Sequence, residues 1–172
     1  MEMSMKRQWR RITFLMLMAG CIATTASAEN LAKIQQRAEQ GDAAAQYQLG
    51  MIYSKGQGVG QDYAKAQSFF AEAAQSGNAD AQYELACLYY AGSGIERDTE
   101  KAHSLFASSA ENGNADAQYF LARMYNRGKG VKKNYRKAVI WYSKAAQQGN
   151  TEAANYLQNL CRDRPSLCTD LK

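Results

Sequence analysis

Small and apolar residues recur along the chain at helical spacing, and the whole pattern returns every 36 residues. Ala45, Leu49 and Tyr53 stand at i, i+4 and i+8, one face of a 3.6-residue helix. Ala81, Leu85 and Tyr89 repeat that face, and so do Ala117, Leu121 and Tyr125. Tyr47, Tyr83 and Tyr119 recur beside it. A second helical stripe follows in each copy, built on Ala66, Phe69, Phe70, Ala73 and Ala74 in the first. Its counterparts are Leu105-Phe106 with Ser109-Ala110, and Trp141-Tyr142 with Ala145-Ala146. The copies span residues 41–76, 77–112 and 113–148, align without gaps and abut with no linker.

Between the two stripes lies Gly-x-Gly followed by a branched residue: Gly56, Gly58 and Val59, then Gly92, Gly94 and Ile95, then Gly128, Gly130 and Val131. Glycine there permits a left-handed helix end and a close backbone approach. Asp62 and Asp98 precede the second stripe and predict its N-cap, with Asn134 in that place in the third copy. Each unit is therefore predicted to be a helix-turn-helix hairpin. One hairpin is too small to bury its own apolar face, so neighbours must stack and share a continuous core. The predicted fold class is all-α, a solenoid of stacked helix-turn-helix repeats.

The register Ala45, Tyr47, Leu49, Gly50, Tyr53, Gly56, Gly58, Val59, Asp62, Lys65, Ala66, Tyr-or-Phe at 70 and Ala73-Ala74 resembles the Sel-one-like repeat family, a relative of the tetratricopeptide repeats. Ala86 and Ala122 depart from the glycine at Gly50, and Asn134 from the aspartate; neither breaks the hairpin. The resemblance implies an α/α solenoid wound as a right-handed superhelix, with the first helix of every hairpin lining the concave surface.

The flanks are read against the same register. Residues 29–40 look like half a unit, with Ile34 and Ala38 where Phe70 and Ala74 fall, and are expected to cap the first hairpin. Residues 149–172 begin a fourth copy, with Ala153 and Leu157 matching Ala45 and Leu49, but never reach a Gly-x-Gly. Arg162-Asp163-Arg164-Pro165 is expected to end that helix. Residues 1–28 stand outside the repeats. Lys6, Arg7, Arg10 and Arg11 precede an apolar run from Ile12 to Ala23, too short to span a bilayer. Ala26-Ser27-Ala28 then forms a small-x-small cleavage site, the signature of an export leader. Leu17-Met18-Ala19-Gly20-Cys21 offers a second reading, a lipobox that would place a lipid on Cys21 and tether the chain to a membrane. Leader and family style together give a bacterial periplasmic protein, taken as a monomer.

Charge changes once the leader is set aside. The chain has 21 Lys and Arg against 16 Asp and Glu; without the leader's four basic residues and Glu2, 17 stand against 15. No basic stripe with interleaved aromatics remains, so nucleic acid is excluded as a partner. No metal-ligand cluster is apparent, and no cofactor is implied. The Gly-x-Gly pairs follow helices, lack a third glycine and recur with the period, so they are turns and not phosphate cradles. Cys87 and His103 fall on different helices with no third group to orient them, which leaves a nucleophilic pair without support. Cys161 and Cys168 are placed for a bridge in an oxidising compartment, pinning the tail to the last helix for about 2–3 kcal/mol. Free thiols and an intermolecular link remain the alternatives.

Function is sought where the copies disagree. Positions that repeat hold the stack; positions that differ are free to serve a ligand. With Leu49 facing the core, residues 44, 48, 51 and 55 form a stripe on another face of the first helix. It reads Ala44, Gln48, Met51 and Lys55 in the first copy. It becomes Asp80, Glu84, Cys87 and Ala91 in the second, and Asp116, Phe120, Arg123 and Arg127 in the third. Tyr90 lies beside it. On the concave surface these residues would make a groove with an acidic centre, a basic end and apolar anchors, a mixture suited to a protein or peptide partner. The double substitution Phe120→Ala with Arg123→Ala is expected to weaken capture and leave the melt nearly unchanged. Family resemblance permits a narrower role, an immunity protein that neutralises a secreted antibacterial effector such as a phospholipase. It also brings in relatives proposed to act on β-lactams. Those carry a cysteine pair in every repeat, which this chain does not, so the reading is non-enzymatic.

Overall fold

The computed structural model describes residues 29–169. Helix α1 covers residues 29–39. Seven helices of 13 residues follow: α2 (Ala43–Lys55), α3 (Tyr63–Gln75), α4 (Ala79–Ala91), α5 (Thr99–Glu111), α6 (Ala115–Arg127), α7 (Tyr135–Gln147) and α8 (Thr151–Asp163). A short 3-10 turn, Pro165–Leu167, ends the described chain. Among the described residues every regular element is helical, and the hairpins α2–α3, α4–α5 and α6–α7 stack side by side into a solenoid. The leader and the lipobox at Cys21 lie outside the described residues.

Each boundary has a local cause. Asp42, Asn78, Asn114 and Asn150 cap the first helices through their side chains. Asp62, Asp98 and Asn134 cap the second helices, so asparagine serves as well as aspartate in the third copy. Gly56, Gly92 and Gly128 close the first helices in the left-handed region at φ 67°, 74° and 69°. The capping residue of the second helix also latches the turn. Its backbone N–H donates to the carbonyl of Tyr53, Tyr89 or Tyr125 at 2.9, 3.0 and 2.9 Å. The repeated lysine has a place too: Lys65, Lys101 and Lys137 lie over the rings of Tyr53, Tyr89 and Tyr125 at 5.1, 5.4 and 5.1 Å.

The core is a ribbon of alanine and aromatic side chains. Ala45, Ala66, Ala73 and their counterparts down the stack are fully buried, which lets helix axes approach closely. Phe70, Phe106 and Tyr142 fill one position in successive hairpins and are almost wholly buried. A polar seam joins the copies. The buried Gln82 and Gln118 donate to the carbonyls of Ala74 and Ala110 at 3.2 and 3.1 Å, satisfying helix ends that water cannot reach. Their Oε1 atoms accept from Asn112 at 3.1 Å and Gln148 at 2.8 Å. The repeating glutamine at 46, 82 and 118 was visible in the sequence, but its packing role was not.

The stack is curved, and its curvature decides which helices are inside. Successive first helices touch: Tyr83 on α4 meets Phe120 on α6, and Tyr119 on α6 meets Tyr156 on α8, both at 5.9 Å. Second helices splay instead, and a cleft of about 620 Å³ separates α3 from α5 over Leu85. The first helices therefore line the inner face. At the far end, Cys161 and Cys168 are joined, and the tail folds back so that the Arg164 guanidinium sits 4.1 Å from the Tyr135 ring centre. In the other copies a Gly-x-Gly turn rests on that position: Gly94 packs against Tyr63, and Gly130 against Thr99. The bridged tail stands in for the missing fourth turn.

Candidate functional site

The divergent stripe runs along the inner face on α2, α4 and α6. Gln48, Lys55, Arg127 and the small residues Ala44 and Ala91 are exposed, while Met51, Glu84, Cys87, Tyr90, Phe120 and Arg123 are half-buried. The structure brings two of the third-copy residues, Phe120 and Arg123, into one aromatic cluster. Phe120 stacks on the buried Phe106 with centroids 5.3 Å apart and planes at 11°. Tyr83 meets its edge at 5.9 Å, and Tyr90 meets Phe106 edge-on at 6.3 Å. The Arg123 guanidinium lies 5.3 Å from the Phe120 ring and 5.4 Å from that of Tyr119. Lys129, from the third turn, sits 4.2 Å over Tyr90.

Two expectations need amending. Phe120 belongs to the core as well as to the face, because its ring covers Phe106. Its truncation removes core packing, so the melt will fall, and the double substitution with Arg123 is no clean test of binding. Asp80 and Asp116 are exposed, but each also joins neighbouring copies. Asp80 accepts from Asn114 Nδ2 at 2.7 Å, and Asp116 from Asn150 Nδ2 at 3.0 Å. The residue that caps one first helix thereby ties itself to the preceding one.

Glu84 is different. Among the described residues no donor hydrogen-bonds to it and no cation lies within ion-pair distance. Burial holds its carboxyl above the ordinary range; Lys55 opposes this, and Asp80 and Asp116 add to it. Cys87 beside it is pushed up to about 12, chiefly by burial, with Glu84 and Asp116 adding. Tyr83 beside it favours the thiolate, less strongly than burial opposes it, and burial holds the tyrosine's own phenol well above its usual range. The thiol is thus protonated at neutral pH and a poor nucleophile. His103 packs edge-on against Tyr125 at 5.5 Å and is held below its ordinary value by burial and the Lys137 charge. Among the described residues no contact or charge interaction links it to Cys87. No three acidic, histidine or cysteine side chains converge as a metal site among the described residues.

The inner face extends further than the divergent stripe. Adding one period to 120, 123 and 127 reaches Tyr156, Asn159 and Asp163 on α8. Tyr156 stacks on Tyr142 at 5.6 Å and 7°, repeating the Phe120 geometry. It also lines a cavity of about 430 Å³ with Asn126, Tyr135, Asn159 and Arg164. The period alone could have found these residues: residues 149–172 read as the start of a fourth copy, but the predicted stripe stops at the third. Lys129 could not have been found, since turn geometry alone carries it to Tyr90.

Comparison with known proteins agrees with this architecture. The family model described as "Sel1 repeat" matches residues 43–78, 79–114 and 115–150, the same period framed two residues later. A search of curated protein sequences found no significant match. Among solved structures, a protective antigen of uropathogenic Escherichia coli with an SLR fold is 38% identical, with a TM-score of 0.74 over 76% of this chain. The match spans only 28% of that antigen. A Sel1 repeat protein from Oxalobacter formigenes is 37% identical, with a TM-score of 0.71, covering 76% of this chain and 98% of that one. Helicobacter pylori cysteine rich protein B shares the fold at 21% identity and a TM-score of 0.59, over 74% and 96% of the two chains.

Proposed function

The chain belongs to the Sel1 repeat family, and on that premise we propose that it is a non-enzymatic interaction module that binds a partner protein or peptide along its concave face. One observation carries this reading. Most buried positions keep their residue type from copy to copy, whereas the less buried inner-face positions change chemistry, as in Gln48, Glu84 and Phe120, or Met51, Cys87 and Arg123; Asp80 and Asp116 are the pair that stays alike. Stacking needs sameness, and recognition of one partner needs difference. The face mixes half-buried aromatics, a methionine, an arginine and acidic groups, the residue types that anchor protein interfaces. The proposed setting is an oxidising compartment outside the cytoplasm, reached through the leader. The Cys161–Cys168 bridge fits that setting. Among the described residues no helix is long and apolar enough to cross a membrane.

Photo-cross-linking tests the groove. A benzophenone side chain is placed at Gln48 or Arg127 on the inner face, and at Ile140, 49% exposed on an outer helix, as control. A discrete adduct in a periplasmic extract from the inner positions alone supports the reading. Adducts from Ile140 alone, or equally from all three, would sink it. An effector toxin as the cross-linked species would make the protein an immunity factor. Intact mass of the exported protein separates cleavage after Ala28 from an acylated Cys21.

A further inference from the structure

Successive first helices carry one position that faces the aromatic column: Gln48, Glu84, Phe120 and Tyr156. In the third copy a ring fills it. Phe120 lies flat on Phe106 and edge-on to Tyr83 of the preceding copy. In the fourth, Tyr156 lies flat on Tyr142 and touches Tyr119 of the preceding copy. The position is therefore an aromatic seat, floored by one hairpin's buried ring and walled by its tyrosine. In the second copy the same register places Phe70 and Tyr47 around the seat, and Glu84 occupies it.

A half-buried carboxylate there gives up part of its hydration and gains no hydrogen bond or ion pair among the described residues. The Lys55 charge acts on it only from farther off. After burial, the Glu84 charge is the next cause that holds the Tyr47 phenol up, and it adds last, behind burial, Cys87 and Asp116, at Tyr83. Burial works against the charged form of the carboxyl. A carboxylate set among aromatic rings is the chemistry that receives an ammonium or guanidinium group, by charge-assisted hydrogen bonds and by cation–π attraction.

Resting on the groove reading above, we propose that Glu84, flanked by Tyr47 and Tyr83, is the seat for a lysine or arginine side chain presented by the partner protein. Asp80 and Asp116, exposed on the same face, add attraction during approach. Arg123, held over Tyr119 and Phe120 with no carboxylate paired to it among the described residues, gives the neighbouring copy the opposite sign. A partner is thus fixed in one direction along the groove.

The probe is N-acetyl-arginine amide, with the neutral N-acetyl-citrulline amide beside it, titrated into the purified protein and followed by NMR. Arginine amide is expected to shift the signals of Tyr47, Met51 and Tyr83, and citrulline amide is not. Glu84→Gln is expected to weaken the response about tenfold or more. Glu84→Phe, which restores the ring of the later copies, is expected to abolish it and to raise the melting temperature above wild type. Equal responses to the two amides, an undiminished response in Glu84→Phe, or a lowered melt in both variants would overturn the proposal. Adducts from Gln48 and Arg127 that persist at full yield in Glu84→Phe would remove the cation seat and leave the groove. Absence of those adducts in the wild type would remove the groove itself.

Discussion

Gly50 shows how finely one residue is set. A Cβ built there runs into the Phe70 ring, whereas the later copies bury Ala86 and Ala122 at the same position. Phe70 therefore sits closer to its first helix than its counterparts do. Gly50→Ala forces that ring aside and is expected to cost about 1–3 kcal/mol in denaturant unfolding. The reverse change, Ala86→Gly, opens space without a clash. Glu84 supplies a second residue-scale test. Burial favours its protonated form, opposed by Lys55 and assisted by Asp80 and Asp116. Because the folded-state pKa is raised, the carboxyl's contribution is complete below its unfolded pKa and is lost as pH rises through the folded value. Glu84→Gln is then expected to stabilise the protein at pH 7, with the advantage shrinking toward pH 4. Paired melts across that range measure it. A gap that widens on acidification would contradict the assignment.

At the scale of elements, the hairpin and the end cap behave differently. Each hairpin is closed by caps at both helices, a backbone latch and a lysine on a tyrosine face, all inside one copy. The last helix lacks most of this. Only Ala153 of α8 is buried, and no second helix covers its other side. Beyond its packing on α7 through Tyr156 and Leu157, what holds it is the Cys161–Cys168 bridge and the tail that lies over Tyr135. Reduction is expected to cost α8 about 2–3 kcal/mol of local stability. Hydrogen exchange with and without a phosphine reductant should show faster exchange in Thr151–Asp163 and none of this in α4 or α6. The pairing of these cysteines was legible in their spacing; that the tail would replace a turn was not.

For the whole molecule, every hairpin leans only on its neighbours, so stability is a sum of units and interfaces. The central hairpin has two interfaces, and α8 has one. Exchange protection is expected to peak in α4–α6 and to fall toward α8, not to vanish everywhere at one free energy. A single uniform protection value across the stack would show that unfolding is global instead. The stack also creates the inner face, since no helix makes a groove alone. The asparagine caps of one copy reach the aspartates of the one before, and the tyrosine of one copy meets the ring of the one after.

Period, caps and hairpin boundaries were all determined by the sequence itself, because they depend on residues close in the chain whose spacing repeats. The divergent stripe was legible for the same reason: a helix face can be counted. Tertiary structure alone decided how those positions share their surroundings. Phe120 is partly core because a ring 14 residues upstream, Phe106, lies flat beneath it. Asp80 and Asp116 are partly struts because the next copy's caps arrive within hydrogen-bond reach. Glu84 has no internal hydrogen bond or ion pair among the described residues, since solvation and pairing depend on groups brought together from different hairpins, and no spacing along one helix records that.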